Sequence, residues 1–285
     1  MPSWPKTRWW FTSLRLLCVI AVAILAAACA APPLVFNAAD PGFNVSHRIN
    51  ALLPTDILLL GEQHDAPDHQ RLQRAVVLAL AERGQLAALA LEMAEQGTTT
   101  AGLPPDSGED PVRSALKWND DGWPWAAYGP VVMAAVRAGV PVLGANLPRT
   151  QMRDAMKNEA WDGHLKPGEL QTQRSNIREG HCDLLPESQI ATMTRIQIAR
   201  DAAMAQTVMA SRQSGKTVLL IAGGGHVDRA LGVPTHFPEN TPSKVVMAFA
   251  SYSRVATNSR ADAVWHTAAL LPRDYCADMK MQMGR

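Results

Sequence analysis

The sequence predicts an α/β fold: a mainly parallel central sheet flanked by helices on both faces, with a helical insertion. Two observations predict it. Short, wholly apolar runs recur along the chain and stop at Gly or an acid, as strands covered on both faces do. Between them lie longer segments whose apolar residues keep helical spacing and whose ends carry Pro, Asp or Gly.

The elements follow in order. Lys6, Arg8 and Arg15 flank the start of an apolar run from Leu16 to Ala28, the pattern of a secretory signal over residues 1–28. Ala26-Ala27-Ala28-Cys29 reads as a lipoprotein box with Cys29 lipidated. This gives an outer- or inner-membrane lipoprotein facing the periplasm; the alternative is cleavage at a nearby Ala-x-Ala site, leaving a soluble periplasmic or secreted protein. Residues 29–54 form a lead-in ending in a short helix near Leu53, and residues 55–285 a single α/β domain. Ile57–Leu60 is the first strand, stopped by Gly61, and Pro67 and Asp68 open a helix that Gly84 ends. Leu86–Leu91 is the second strand, stopped by Glu92. Residues 97–121, rich in Gly, Pro, Thr and Asp, read as an inserted loop, and a helix runs from about Pro130 to Ala138. Val140–Leu143 is the third strand, the stretch from Pro148 to Ser211 is largely helical, and Thr217–Ala222 is the fourth strand. Lys244–Ala250 and Ala263–Thr267 complete the set.

Composition narrows the function. With 47% apolar and 19% charged residues the chain is globular. Its net charge of +1, without a basic patch, argues against a nucleic-acid partner. Residues 1–28 hold three cations and no acid, so the exported chain is about −2. After Cys29 only Cys182 and Cys276 remain, and an oxidising compartment favours pairing them. The bridge would close a loop of about 95 residues, worth on the order of 4 kcal/mol in the chain-entropy model. A zinc site is the weaker alternative, because two isolated cysteines lack local ligand spacing.

Ligands of open α/β sheets bind outside the carboxyl ends of the strands. Here four strands run into polar residues: Glu62 and His64, then Glu92, then Asn146, then His226. Parallel strands would gather all of them on one edge. Gly61-Glu62-Gln63-His64 and Gly223-Gly224-Gly225-His226 share a Gly-x-x-His spacing, and neither is a dinucleotide or P-loop fingerprint. Two imidazoles with Glu62 and Glu92 are a candidate divalent-metal set. On that reading the chain is a metal-dependent hydrolase with Glu62 as general base. Gln197 and Asp201, four apart on a helix, point either into the same crevice or along an exposed helix edge.

These motifs, together with Leu91-Glu92-Met93, Trp123-Pro124-Trp125 with Tyr128, Ala145-Asn146-Leu147-Pro148-Arg149, His181-Cys182 and Gln197 with Arg200-Asp201, resemble the ChaN-like haem-binding lipoproteins. The paired Gly-x-x-His motifs also look like those of the wider Tiki and TraB superfamily, some of whose members are proposed metal-dependent proteases. The resemblance implies a membrane-anchored, periplasm-facing lipoprotein in iron or haem acquisition. It also implies a homodimer with stacked haems and tyrosine ligation. Carried onto this chain, haem or a related porphyrin would meet Tyr128, His64, His226, Glu62, Glu92, Asn146 and Arg149. Tyr128 would be the phenolate ligand of ferric iron, with the neighbouring tryptophans covering the macrocycle. The alternative is that the tryptophans form only a packed lid.

Overall fold

A computed structural model of the chain describes residues 34–37, 44–250 and 261–283. The expected signal segment 1–28 and expected lipidation residue Cys29 lie outside the described residues. In chain order the elements are β1 (Leu34–Asn37), α1 (Val45–Asn50), β2 (Ile57–Glu62), α2 (Pro67–Ala81), β3 (Leu86–Glu95), α3 (Glu109–Ala115) and α4 (Trp125–Arg137). Then come β4 (Val142–Asn146), α5 (Arg149–Lys157), α6 (Pro167–Gly180), α7 (Glu187–Ala210), β5 (Thr217–Gly223), α8 (Gly224–Val227), β6 (Ser243–Phe249), β7 (Ala263–His266) and α9 (Tyr275–Met283).

The strands form one sheet in the order β1-β7-β6-β2-β5-β3-β4, and every neighbouring pair is parallel. This is the predicted α/β class. The apolar strands divide their side chains between two cores. Leu58, Leu60, Leu89, Leu91, Leu219 and Ile221 pack with Val76 and Leu80 of α2 and Val132 and Val136 of α4. The alternate residues Ile57, Leu59, Ala88, Ala90, Val218 and Leu220 pack with Met204, Ala205 and Val208 of α7. Strand side chains alternate between faces, so a continuous apolar run is what a sheet covered on both sides requires. Each fully buried Leu or Ile contributes roughly 1.5–3 kcal/mol.

Several boundaries differ from the sequence expectation: β3 continues through Glu92 to Glu95, and β4 spans Val142–Asn146 rather than Val140–Leu143. The lead-in supplies β1, which pairs with β7 at the sheet edge. Residues 97–121 contain α3, opened by Glu109 and Asp110, acids that suit a helix N-terminus. Helix α4 begins at Trp125 rather than Pro130, so Tyr128 is helical and Pro130 lies inside the helix. Pro130 misleads because proline usually marks a first turn; here it lies on the exposed side of the helix.

Cys182, just past α6, and Cys276, in α9, form a disulfide with a Cα–Cα distance of 5.5 Å. It ties the C-terminal segment to the helical layer, 94 residues away in sequence.

Candidate functional site

Adjacent central strands β2 and β5 set the site, with Gly61 opposite Ala222 and Glu62 opposite Gly223. Gly61 is a close-approach position: a Cβ there would lie 2.4 Å from Val227 Cγ2 and 3.2 Å from the Gly224 backbone. The loop after β5 therefore packs directly on β2. Gly223 makes room the other way, since a Cβ on it would lie 2.8 Å from His64 Nε2.

Glu62, at the end of β2, is 3% exposed. Such a carboxylate is costly to bury unless hydrogen-bonded, and four side chains serve it. His64 Nδ1 is 2.8 Å from Oε1, the Tyr128 hydroxyl donates to Oε1 at 2.7 Å, and Gln70 Nε2 donates to Oε2 at 2.9 Å. Gln73 also donates to Oε2. Gln70 and Gln73 are one turn apart on α2 and face the strand end together.

Glu92, on β3, is 2% exposed. It accepts from Gly223 N at 2.7 Å and from the Arg200 guanidinium, and it lies 3.4 Å from His226 Nε2 and 3.8 Å from His64 Nε2. Burial pushes its carboxyl up, but His226 and then Arg200 and His64 outweigh burial and hold it well below the usual carboxylate range. Arg200 also donates to Asn146 Oδ1 at 2.9 Å, which links β4 to the cluster.

His226 lies between two acids. Its Nδ1 is 2.6 Å from Asp201 Oδ1, and Asp201 is fully buried in α7. Burial opposes the imidazolium, yet Glu92 and Asp201 together raise it to about 9. For Asp201 burial dominates and lifts the carboxyl to about 6, with His226 pulling the other way. Gln197 completes this side at 3.1 Å from the ring. His64 is raised too, burial opposing and the bond to Glu62 and the charge of Glu92 prevailing.

The strand-end residues Glu62, His64, Glu92 and His226 thus meet, with Asn146 joined through Arg200. Gln197 and Asp201 face this cluster rather than an exposed helix edge. Arg149 does not join it: its side chain is exposed, and its main-chain N donates to Glu95. Tyr128 is 2% exposed, and burial, then the Glu62 carboxylate, pushes its hydroxyl above the ordinary phenol range. It therefore holds its proton against Glu62. Of the tryptophans, Trp123 reaches the site, edge-on to His64 at 4.8 Å; Trp125 is buried and donates to Glu109 of α3 at 2.7 Å. Gln70 and Gln73 were missed in the sequence, where only their spacing on a helix facing a strand end could have exposed them.

The expectation of metal binding is corrected. Among the described residues no group of three or more His, Cys, Asp or Glu is arranged to hold a metal ion. The reason is local: Arg200 and a charged His226 already neutralise Glu92, and Glu62 is taken up by four partners. A metal-dependent hydrolase using Glu62, His64, Glu92 and His226 therefore lacks its ligand set. Among the described residues no helix is long and apolar enough to cross a membrane; the expected anchor residue Cys29 lies outside them.

Outside the network, between the His64 loop, α2 and the start of α4, runs an open groove of about 550 Å³. Its apolar wall is Pro67, Pro124, Ala126, Ala127 and Pro130, and its polar rim is His64, Asp65, Gln70, Arg71 and Arg74. The volume lies in the range of small-molecule sites. Asp65 also accepts from the hydroxyl of Tyr275, which is 48% exposed and carries Arg273 over its ring at 5.3 Å.

Comparison with known proteins is consistent with this geometry. The profile of a family described as haem-binding uptake, Tiki superfamily, ChaN, matches residues 48–237. Among solved structures, ChaN of Campylobacter jejuni, described for cofacial haem binding, is 24% identical. The match covers 78% of this chain and 91% of that one, with a TM-score of 0.61, a likeness of fold. The type III effector HopBA1 is 16% identical over 81% of this chain and 96% of its own, with a TM-score of 0.46. No curated protein matches the chain.

Proposed function

The chain belongs to the haem-binding uptake family of the Tiki superfamily, ChaN, and from that membership we propose that it is an exported bacterial protein that carries haem in iron or haem acquisition. The Cys182–Cys276 bridge supports export, since disulfides persist in oxidising compartments. The observation that carries the haem reading is the open, apolar-walled groove, whose rim residue Asp65 accepts a hydrogen bond from the Tyr275 hydroxyl. In this reading Tyr275, not Tyr128, is the phenol offered to iron. Tyr128 is buried and committed to Glu62, whereas Tyr275 is half-exposed. His64 stands on the groove rim with Trp123 edge-on to it, and Glu62, Glu92, His226 and Asn146 form the network behind them. Bound haem would supply the iron itself as cargo; the protein's part is to hold and shield it.

Haemin titration of the exported chain tests this. Wild type and Tyr128→Phe are expected to give the same Soret shift at micromolar haemin. Tyr275→Phe is expected to lose the tyrosinate charge-transfer band and about tenfold or more in affinity. No shift in wild type would end the haem reading; a Tyr275→Phe spectrum like wild type would keep haem and remove this ligand.

A further inference from the structure

We propose that Arg71 and Arg74 receive the carboxylates of the bound tetrapyrrole, so that the groove selects porphyrins with free acid side chains over esterified or apolar ones. This deepens the haem reading above and rests on it. The two arginines stand three apart on α2, on the exposed side of the helix, and both line the groove. Residues at that spacing share one helix face.

The other polar groups on the rim are committed. Gln70 spends its amide on Glu62 and the His64 carbonyl, His64 is bonded to Glu62, and Asp65 accepts from Tyr275. Arg74 makes no ion pair among the described residues. Arg71 pairs with Asp68, but its side chain is 76% exposed, and such a surface pair is weak and readily exchanged for another carboxylate. Across the groove the wall is proline and alanine, with no cation of its own. A ligand lying there meets a flat apolar surface on one side and two guanidinium forks on the other. Guanidinium binds carboxylate through paired, charge-assisted hydrogen bonds. A flat, mostly apolar dianion, acidic at one edge, is the chemistry that fits. A neutral flat ring would leave both arginines unused.

The experiment compares haemin with haemin dimethyl ester in the same detergent buffer. Both are titrated into wild type and into the double variant R71Q/R74Q, following the Soret band and its salt dependence. Wild type is expected to bind the ester about tenfold or more weakly than haemin. R71Q/R74Q is expected to lose as much for haemin and nothing further for the ester, with the Soret position and thermal unfolding unchanged. Equal binding of haemin and ester by wild type, or unaltered haemin affinity in R71Q/R74Q, overturns the proposal while leaving haem binding intact. Absence of any haemin binding by wild type overturns the haem reading itself, and this proposal with it.

Discussion

The two Gly-x-x-His loops begin one register position apart on neighbouring strands, yet they deliver their histidines to opposite environments. His64 leaves β2 on an open turn and keeps 40% of its side chain exposed, leaning on Glu62 below and Trp123 beside it. His226 leaves β5 on the single helical turn α8, and only 5% of its side chain is exposed, between Glu92 and Asp201. Spacing in sequence sets where a side chain departs from the sheet, and the backbone after the strand sets how deep it goes. The missing Cβ of Gly61 lets the second loop pack tightly against β2, and the lack of a Cβ on Gly223 leaves His64 its place. One loop presents its imidazole to the groove; the other uses its imidazole as a fixed internal cation.

The sharpest way to break this comparison is to remove the shared anion. Glu92→Ala strips Arg200 of its carboxylate partner and leaves a charged His226 with Asp201 alone, and is expected to cost roughly 3–5 kcal/mol in urea unfolding. A loss below about 1 kcal/mol would mean that the network is open to water. Next in size is the pH response. His226 is raised in the folded protein to about 9 from an ordinary 6.5, so its contribution is complete below 6.5 and lost as pH rises through 9. The loss is on the order of 3 kcal/mol. Denaturation midpoints between pH 6 and 10 should fall in wild type and flatten in His226→Gln; equal slopes would refute an internal cation. Smallest is His64→Ala, expected to change stability by less than about 1 kcal/mol, because Glu62 keeps Gln70, Gln73 and Tyr128. If it proved as damaging as Glu92→Ala, the contrast between the two loops would fail.

The fold was legible because strand runs such as Ile57–Leu60 and Thr217–Ala222 are apolar on both faces, and few other structures tolerate that. Convergence at one edge followed from parallel strands, which put Glu62, Glu92 and His226 in reach of one another. What escaped the sequence was which groups would be buried partners. Tyr128 sits in a conspicuous aromatic run, and its helix turns it inward onto Glu62. Tyr275, next to Cys276, is brought to Asp65 in a tail tied down by a disulfide to a residue 94 positions away. Charge pairing such as Arg200 with Glu92 joins residues 108 apart and leaves no local pattern to read.

The four-residue strand β1 has a practical meaning for anyone trimming this protein. A chain begun at residue 55, where the recognisable domain starts, would lack the segment that covers the outer side of β7. The main-chain donors and acceptors laid bare there are a ready template for a stray strand from another molecule. Expression designs that spare Leu34–Asn37 keep that seam closed.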